Sequence, residues 1–209
     1  MDIVQRVNGL SHLGAAWVLW LLVALSVVGV AIVIERAVVL WLGRDDVRRI
    51  RSELTLALSA RDVERARHRL QESPSVEAKV ASVALECEDP GAARERIASA
   101  SALARLDLSK NLGFLGTLGN NAPFVGLFGT VIGIIRAFQA LEHSAGQVSA
   151  GLMSEIGEAL VATAVGLLVA LPAVAFFNLF QRVIAARVSR AEALGGEVVA
   201  FLEAESHRS

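Results

Sequence analysis

The chain has 209 residues, 54% of them apolar and 20% charged, with a net charge of −1; soluble domains run at roughly 45–50% and about 25%. That balance excludes a nucleic-acid partner attracted by bulk charge, and a single cysteine, Cys87, excludes an internal disulfide. The charges are unevenly spread, and three long stretches have none.

Residues 1–14 read as an N-terminal segment outside the membrane. Residues 15–34 are a first stretch of 20 residues without a charge. Crossing a hydrocarbon core about 30 Å thick takes roughly 18–20 apolar residues, so this run is long enough. It exceeds the roughly 7–15 residues of a signal-peptide core. Only Arg6 precedes it as a basic residue, and the small-x-small triplet Ala24-Leu25-Ser26 lies inside it. It is read as a retained span, with its cytoplasmic end reaching residue 43. Glu35 and Arg36 follow the run directly, as an interfacial local ion pair with snorkelling side chains.

Residues 44–111 carry 13 of the 20 Lys and Arg. Helical composition is clearest at 62–71 and 91–110, with Pro74 and Pro90 as breaks. The second of these runs into the next apolar stretch without a breaker, which predicts one continuous helix. Cys87 in this loop reads as a small semi-buried thiol. The next uncharged run, 112–135, has 24 residues and marks a second span at 112–136. A link at 137–155 carries no Lys or Arg. A third span at 156–181 contains the 23 uncharged residues 159–181. The tail, 182–209, holds Arg182, Arg187, Arg190 and Arg208, and its helical pattern continues to Gly195-Gly196.

The excess of basic residues in the long loop and tail places both in the cytoplasm, with the N-terminus and the 137–155 link on the other side. Arg136 is the one basic residue on the wrong side. The fold class is an all-α integral membrane protein: three transmembrane helices, long helices extending into the cytoplasm, and no separate second domain.

Enzyme chemistry has no foothold. There is no phosphate-binding G-x-x-x-x-G-K-[ST] loop. His12, His68, His143 and His207 are scattered without metal-ligand spacing, and no nucleophile motif is present. No catalytic residue, metal or cofactor is expected.

The membrane helices carry a different signal. Ala159, Thr163, Gly166, Ala170 and Ala173 form one face of small residues on the third span. Gly119, Ala122, Gly126, Thr130, Gly133 and Ala137 do the same on the second, with Gly129 beside them. Such stripes let helix backbones approach closely in lipid. In an antiparallel pair Thr130 falls level with Thr163, and Pro123 with Pro172. A proline frees one backbone carbonyl, which protein or cavity water must meet at depth. Two readings stand. Each threonine bonds its own helix backbone in a tight hairpin, or the pair forms a polar seam lining a narrow conduit. Glu158, in the first turn of the third span, either complements the positive helix end or faces a cavity or partner. Nothing titratable occupies the middle of any span, so a proton path would need a carboxylate from another chain.

The stretches NNAPFVGLFGTVIGIIRAF (120–138) and IGEALVATAVGLLVALPAVAFFN (156–178) resemble the two signature helices of the TolQ/ExbB/MotA proton-channel family, on its TolQ/ExbB-like branch. The resemblance implies a homo-oligomeric ring, a pentamer, in the bacterial inner membrane, with the N-terminus periplasmic and the C-terminus cytoplasmic. It implies a TolR/ExbD-like single-span partner whose helix carries an essential aspartate, and a proton as the transported ion, with sodium excluded by no residue. Carried over by position, Thr130 and Thr163 are pore lining and Glu158 is the carboxylate at the outer end of the third span. Pro123 and Pro172 shape their helices, and Asn178 is polar near the cytoplasmic end; from the small-residue stripes, Gly126, Gly129, Gly133 and Gly166 are the close-packing positions. Arg136 departs from the family pattern and raises a divergent branch such as a gliding motor.

The expected function is a subunit of a proton-driven motor working on the cell envelope, in energised outer-membrane transport, envelope integrity or gliding. The alternative is a passive scaffold that organises a partner without conducting ions. A solute transporter is disfavoured by three spans and no inverted repeat.

Overall fold

A computed structural model describes residues 16–143 and 150–208, and within them every regular element is helical. The N-terminal segment with His12, and the midpoint of the 137–155 link, lie outside the described residues. Helix α1 spans Ala16–Leu42 and stops ahead of Gly43 and the charged run Arg44-Asp45-Asp46. Each following short helix starts on a capping side chain, as orphan N–H groups at helix starts demand. Asp46 accepts from the Arg48 and Arg49 amides to open α2 (Val47–Ser59). Asp62 accepts from Arg65 for α3 (Val63–Glu72). Ser75 accepts from Ala78 for α4 (Val76–Ser82), which passes into a 3-10 turn at Val83–Glu86. Asp89 caps α5 (Pro90–Leu108), with Pro90 in the first turn, where its missing N–H costs nothing. Two long helices follow: α6, Leu112–His143, and α7, the 57-residue Ala150–Ser206.

Two expectations are corrected. The helix over 91–110 does not run into the second span. It ends at Ser109, and Asn111 adopts φ 63°, a left-handed conformation asparagine tolerates better than most residues. Gly195-Gly196 does not end the last helix, because Gly195 is buried against Ile97 of α5. A Cβ there would stand 2.7 Å from the Ile97 Cδ1. Close packing, and not chain reversal, explains this glycine. The chain divides into two compact units, 1–33 with 111–178 and 34–110 with 179–209.

The first unit holds the most apolar segments. Val18 and Leu22 of α1 pack with Leu118, Ala122 and Ile132 of α6 and with Ala170 and Ala173 of α7. Trp17 meets Phe128 edge to face at 6.2 Å between ring centres, a favoured aromatic geometry. Val27, Phe124 and Leu168 are among many large apolar side chains left exposed, as expected of helices whose outer faces meet lipid or another subunit. Among the described residues, three helices are long and apolar enough to cross a membrane.

The second unit packs Ile50, Leu54, Leu70, Ala81, Ile97, Leu194 and Val198 into a core. Each large side chain fully buried there contributes about 1.5–3 kcal/mol. Surface ion pairs, Arg51–Glu197 at 2.5 Å and Arg61–Glu205 at 3.3 Å among them, decorate this core and add little each. Two buried arginines do more. Arg36 donates to the Asp107 and Leu108 carbonyls at the end of α5. Arg187 donates to the Gly43 and Leu40 carbonyls at the end of α1, at 3.0 and 2.5 Å. Both satisfy orphan carbonyls at helix ends. Burial of its guanidinium holds Arg187 below the usual arginine range, against the opposing pull of Glu77.

Candidate functional site

The small-residue faces of α6 and α7 meet. A Cβ on Gly126 would stand 2.7 Å from the Ala162 carbonyl oxygen and 3.2 Å from the Gly166 Cα. One on Gly166 would stand 2.7 Å from the Ala122 carbonyl oxygen. Gly133 lies against Ala159, Gly119 against Val174 and Gly116 against Phe177, so the antiparallel register is kept along the whole pair. Gly129 abuts both Ala162 and Val18, bringing α1 onto the seam. At Gly119, Gly126, Gly129, Gly133 and Gly166 a Cβ would come closer than 3.0 Å to a neighbouring atom, which is why glycine recurs there.

In the middle of this seam the Thr130 and Thr163 hydroxyls hydrogen-bond to each other. Thr130 Oγ1 also lies 3.1 Å from the Ala159 carbonyl and 3.3 Å from that of Gly126. Thr163 Oγ1 lies 3.3 Å from the same Gly126 carbonyl. Thr130 thus bonds its own helix and the opposite one, while Thr163 reaches only across. Both side chains are half-buried. The pairing that antiparallel counting anticipated is therefore a direct contact.

The prolines fall between the Gly119–Val174 and Gly126–Gly166 contacts. Pro172 is exposed and lines a cavity of about 270 Å³ with Leu168 of its own helix and Ser26 and Gly29 of α1. The Leu168 carbonyl, freed by Pro172, belongs to a residue on that cavity wall.

At the other end of the seam, α7 begins at Ala150. Glu158 therefore sits in its third turn, not its first, which removes the argument that it complements the helix end. It is half-buried and makes no ion pair or hydrogen bond with any described residue. Arg136 pairs with Glu155 at 3.2 Å. The Glu155 Oε2 atom is buried without a hydrogen-bond partner among the described residues. Glu155 was missed from sequence because it was assigned to the link; the signal was its place one turn before Glu158. Glu35 and Arg36 pair at 2.6 Å, but Arg36 is 5% exposed and so is no snorkelling side chain. Asn178 is exposed. Also unforeseen are Thr117, Asn120 and Asn121, exposed polar side chains one turn apart on α6. Among the described residues, no group of three or more His, Cys, Asp or Glu converges as a metal site.

Residues 50–193 match the family model described as the MotA/TolQ/ExbB proton channel family. The chain belongs to this family. Among curated MotA/TolQ/ExbB relatives, a biopolymer transport protein ExbB of Pseudomonas putida is 45% identical over 102 residues, 47% of this chain and 30% of that protein. A Tol-Pal system protein TolQ of Pseudomonas aeruginosa is 38% identical over 125 residues, 58% of this chain and 54% of that protein. A putative biopolymer transport protein ExbB-like 2 of Helicobacter pylori is 44% identical over 77 residues, covering 37% and 51%. The chain thus spans about half or less of each relative's length. As a member of the MotA/TolQ/ExbB family it falls among transport and channel proteins of membranes.

Proposed function

We propose that this chain is a ring-forming subunit, a pentamer, of a proton-driven motor in the bacterial inner membrane, with its N-terminus periplasmic and its C-terminus cytoplasmic. With a TolR/ExbD-like single-span partner bearing a transmembrane aspartate, it couples the proton gradient to mechanical work on the cell envelope. The observation that carries this reading is the Thr130–Thr163 hydroxyl pair inside a seam of small residues, in a chain of this family. Thr130 and Thr163 line the route, and Glu158 is the carboxylate at its outer mouth. Thr117, Asn120 and Asn121 support assembly, since polar side chains exposed on an apolar span avoid lipid by facing a partner or water.

The bonds from both hydroxyls to backbone carbonyls favour a second reading, a scaffold in which the threonines serve packing only. Isolation of the protein from native membranes with a small single-span protein carrying a helix aspartate is the expected result. Thr130→Ala, Thr163→Ala and Glu158→Ala should each impair gradient-dependent function while rings still assemble. Full activity in all three variants would leave the scaffold.

A further inference from the structure

The strongest unexplained feature of the second unit is a group of arginines around a cavity of about 360 Å³. Arg44, just beyond the end of α1, and Arg182, Arg187 and Arg190 on α7 line it, together with Asp45 and Glu77. The two carboxylates do not balance the four guanidiniums. Asp45 is already engaged by the Ser73 hydroxyl at 2.7 Å and by Arg69 at 3.6 Å. Glu77 is buried, and its charge acts on Arg187. Arg187 itself is spent on the α1 carbonyls. That leaves Arg44, Arg182 and Arg190 exposed, with no ion pair to any described residue. Like charges gathered in one concavity repel unless an anion joins them.

The level of the cavity along the chain says which anion. Arg44 comes two residues after the last residue of α1, and Arg182 directly follows the uncharged run 159–181. Trp41, 70% exposed at the end of α1, is the kind of side chain that sits at headgroup depth. Basic pockets at this depth on the cytoplasmic side suit lipid phosphates, and arginine forks suit phosphate oxygens.

We propose that Arg44, Arg182 and Arg190 form a binding site for the phosphate of an anionic phospholipid headgroup from the inner leaflet. Glu77 and Arg187 form its floor. The site belongs to the subunit itself and does not depend on ion conduction.

The full chain in mild detergent can be titrated with a short-chain phosphatidylglycerol and, separately, with phosphatidylcholine, counting bound lipids by native mass spectrometry. Phosphatidylglycerol should be retained in preference. Removing arginines as Arg44→Gln, Arg182→Gln and Arg190→Gln should weaken it roughly fivefold for each, whereas Arg65→Gln, on α3, should not. Equal binding of the two lipids, or unchanged phosphatidylglycerol binding in the triple variant, overturns the site. Displacement of the lipid by millimolar inorganic phosphate overturns the headgroup assignment in favour of phosphate from solution. Should the triple variant melt early, the single Arg182→Gln and Arg190→Gln variants decide, since neither side chain has an ion partner to lose. Unchanged binding in both overturns the proposal.

Discussion

Arg136 of α6 and Glu155 of α7 form an ion pair at 3.2 Å, joining the two helices at the end of the seam beside the link between them. Arg136 is the one Lys or Arg of α6, and Glu155 gives it a counter-charge. About a quarter to a third of each side chain remains exposed, so solvent screens part of the attraction. Removal of either charge alone still strands the other in a half-buried site.

Arg136→Gln and Glu155→Gln should therefore each lower the stability of the helix pair by about 1–2 kcal/mol. The double variant should recover part of that loss. Thermal unfolding of all three in the same detergent measures the coupling, and strictly additive losses would show that the pair contributes nothing.

The glycines of the seam divide by what surrounds them. At Gly126 an added methyl group would meet the backbone of Ala162 and Thr163 at 2.7 and 3.0 Å. Backbone in a packed helix cannot step aside as a side chain can, so Gly126→Ala should cost about 1–3 kcal/mol. Gly157 faces open space, and Gly157→Ala should be neutral or stabilise by up to about 1 kcal/mol from helix propensity. Melting temperatures of the two variants check both signs.

Serine and valine separate the two roles of the threonine pair. Thr163→Ser keeps the hydroxyl, while Thr163→Val keeps the shape and loses the bonds to Thr130 and the Gly126 carbonyl. The valine variant should lose about 1 kcal/mol of stability. In the motor reading it also loses proton flux in reconstituted vesicles, and the serine variant keeps it. Flux retained by valine would remove Thr163 from the route.

Acid should weaken the second unit. The Ser73 hydroxyl beside Asp45 holds its carboxyl below the ordinary value of 3.8, with Asp46 N–H and Arg69 adding to the effect against partial burial. Arg49 and Arg69 likewise lower Glu53 from 4.5. A depressed folded-state pKa stabilises the fold above the unfolded value and loses that contribution as pH falls through the folded one. Ser73→Ala should move the acid-unfolding midpoint to higher pH, read by circular dichroism below about pH 5. An unchanged midpoint would mean that the hydroxyl does not favour the carboxylate.

Several features followed from sequence alone because they depend on local composition and helical period. Three uncharged runs are long enough to span, and small residues at three- and four-residue steps make a face whatever the fold. Equal counting from a turn was enough to set Thr130 level with Thr163.

Other features depended on partners distant in sequence, and only the tertiary structure decided them. Gly195 looks like a helix end until Ile97 is packed on it. Arg36 and Arg187 look like surface charges until the carbonyls of other helix ends come to meet them. Glu155 and Arg136 lie in different helices, and their pairing requires both the seam's register and the early start of α7 at Ala150. The arginine cavity likewise joins Arg44 to residues far along the chain. Sequence spacing reports which face a residue lies on; what that face meets is set by packing between elements.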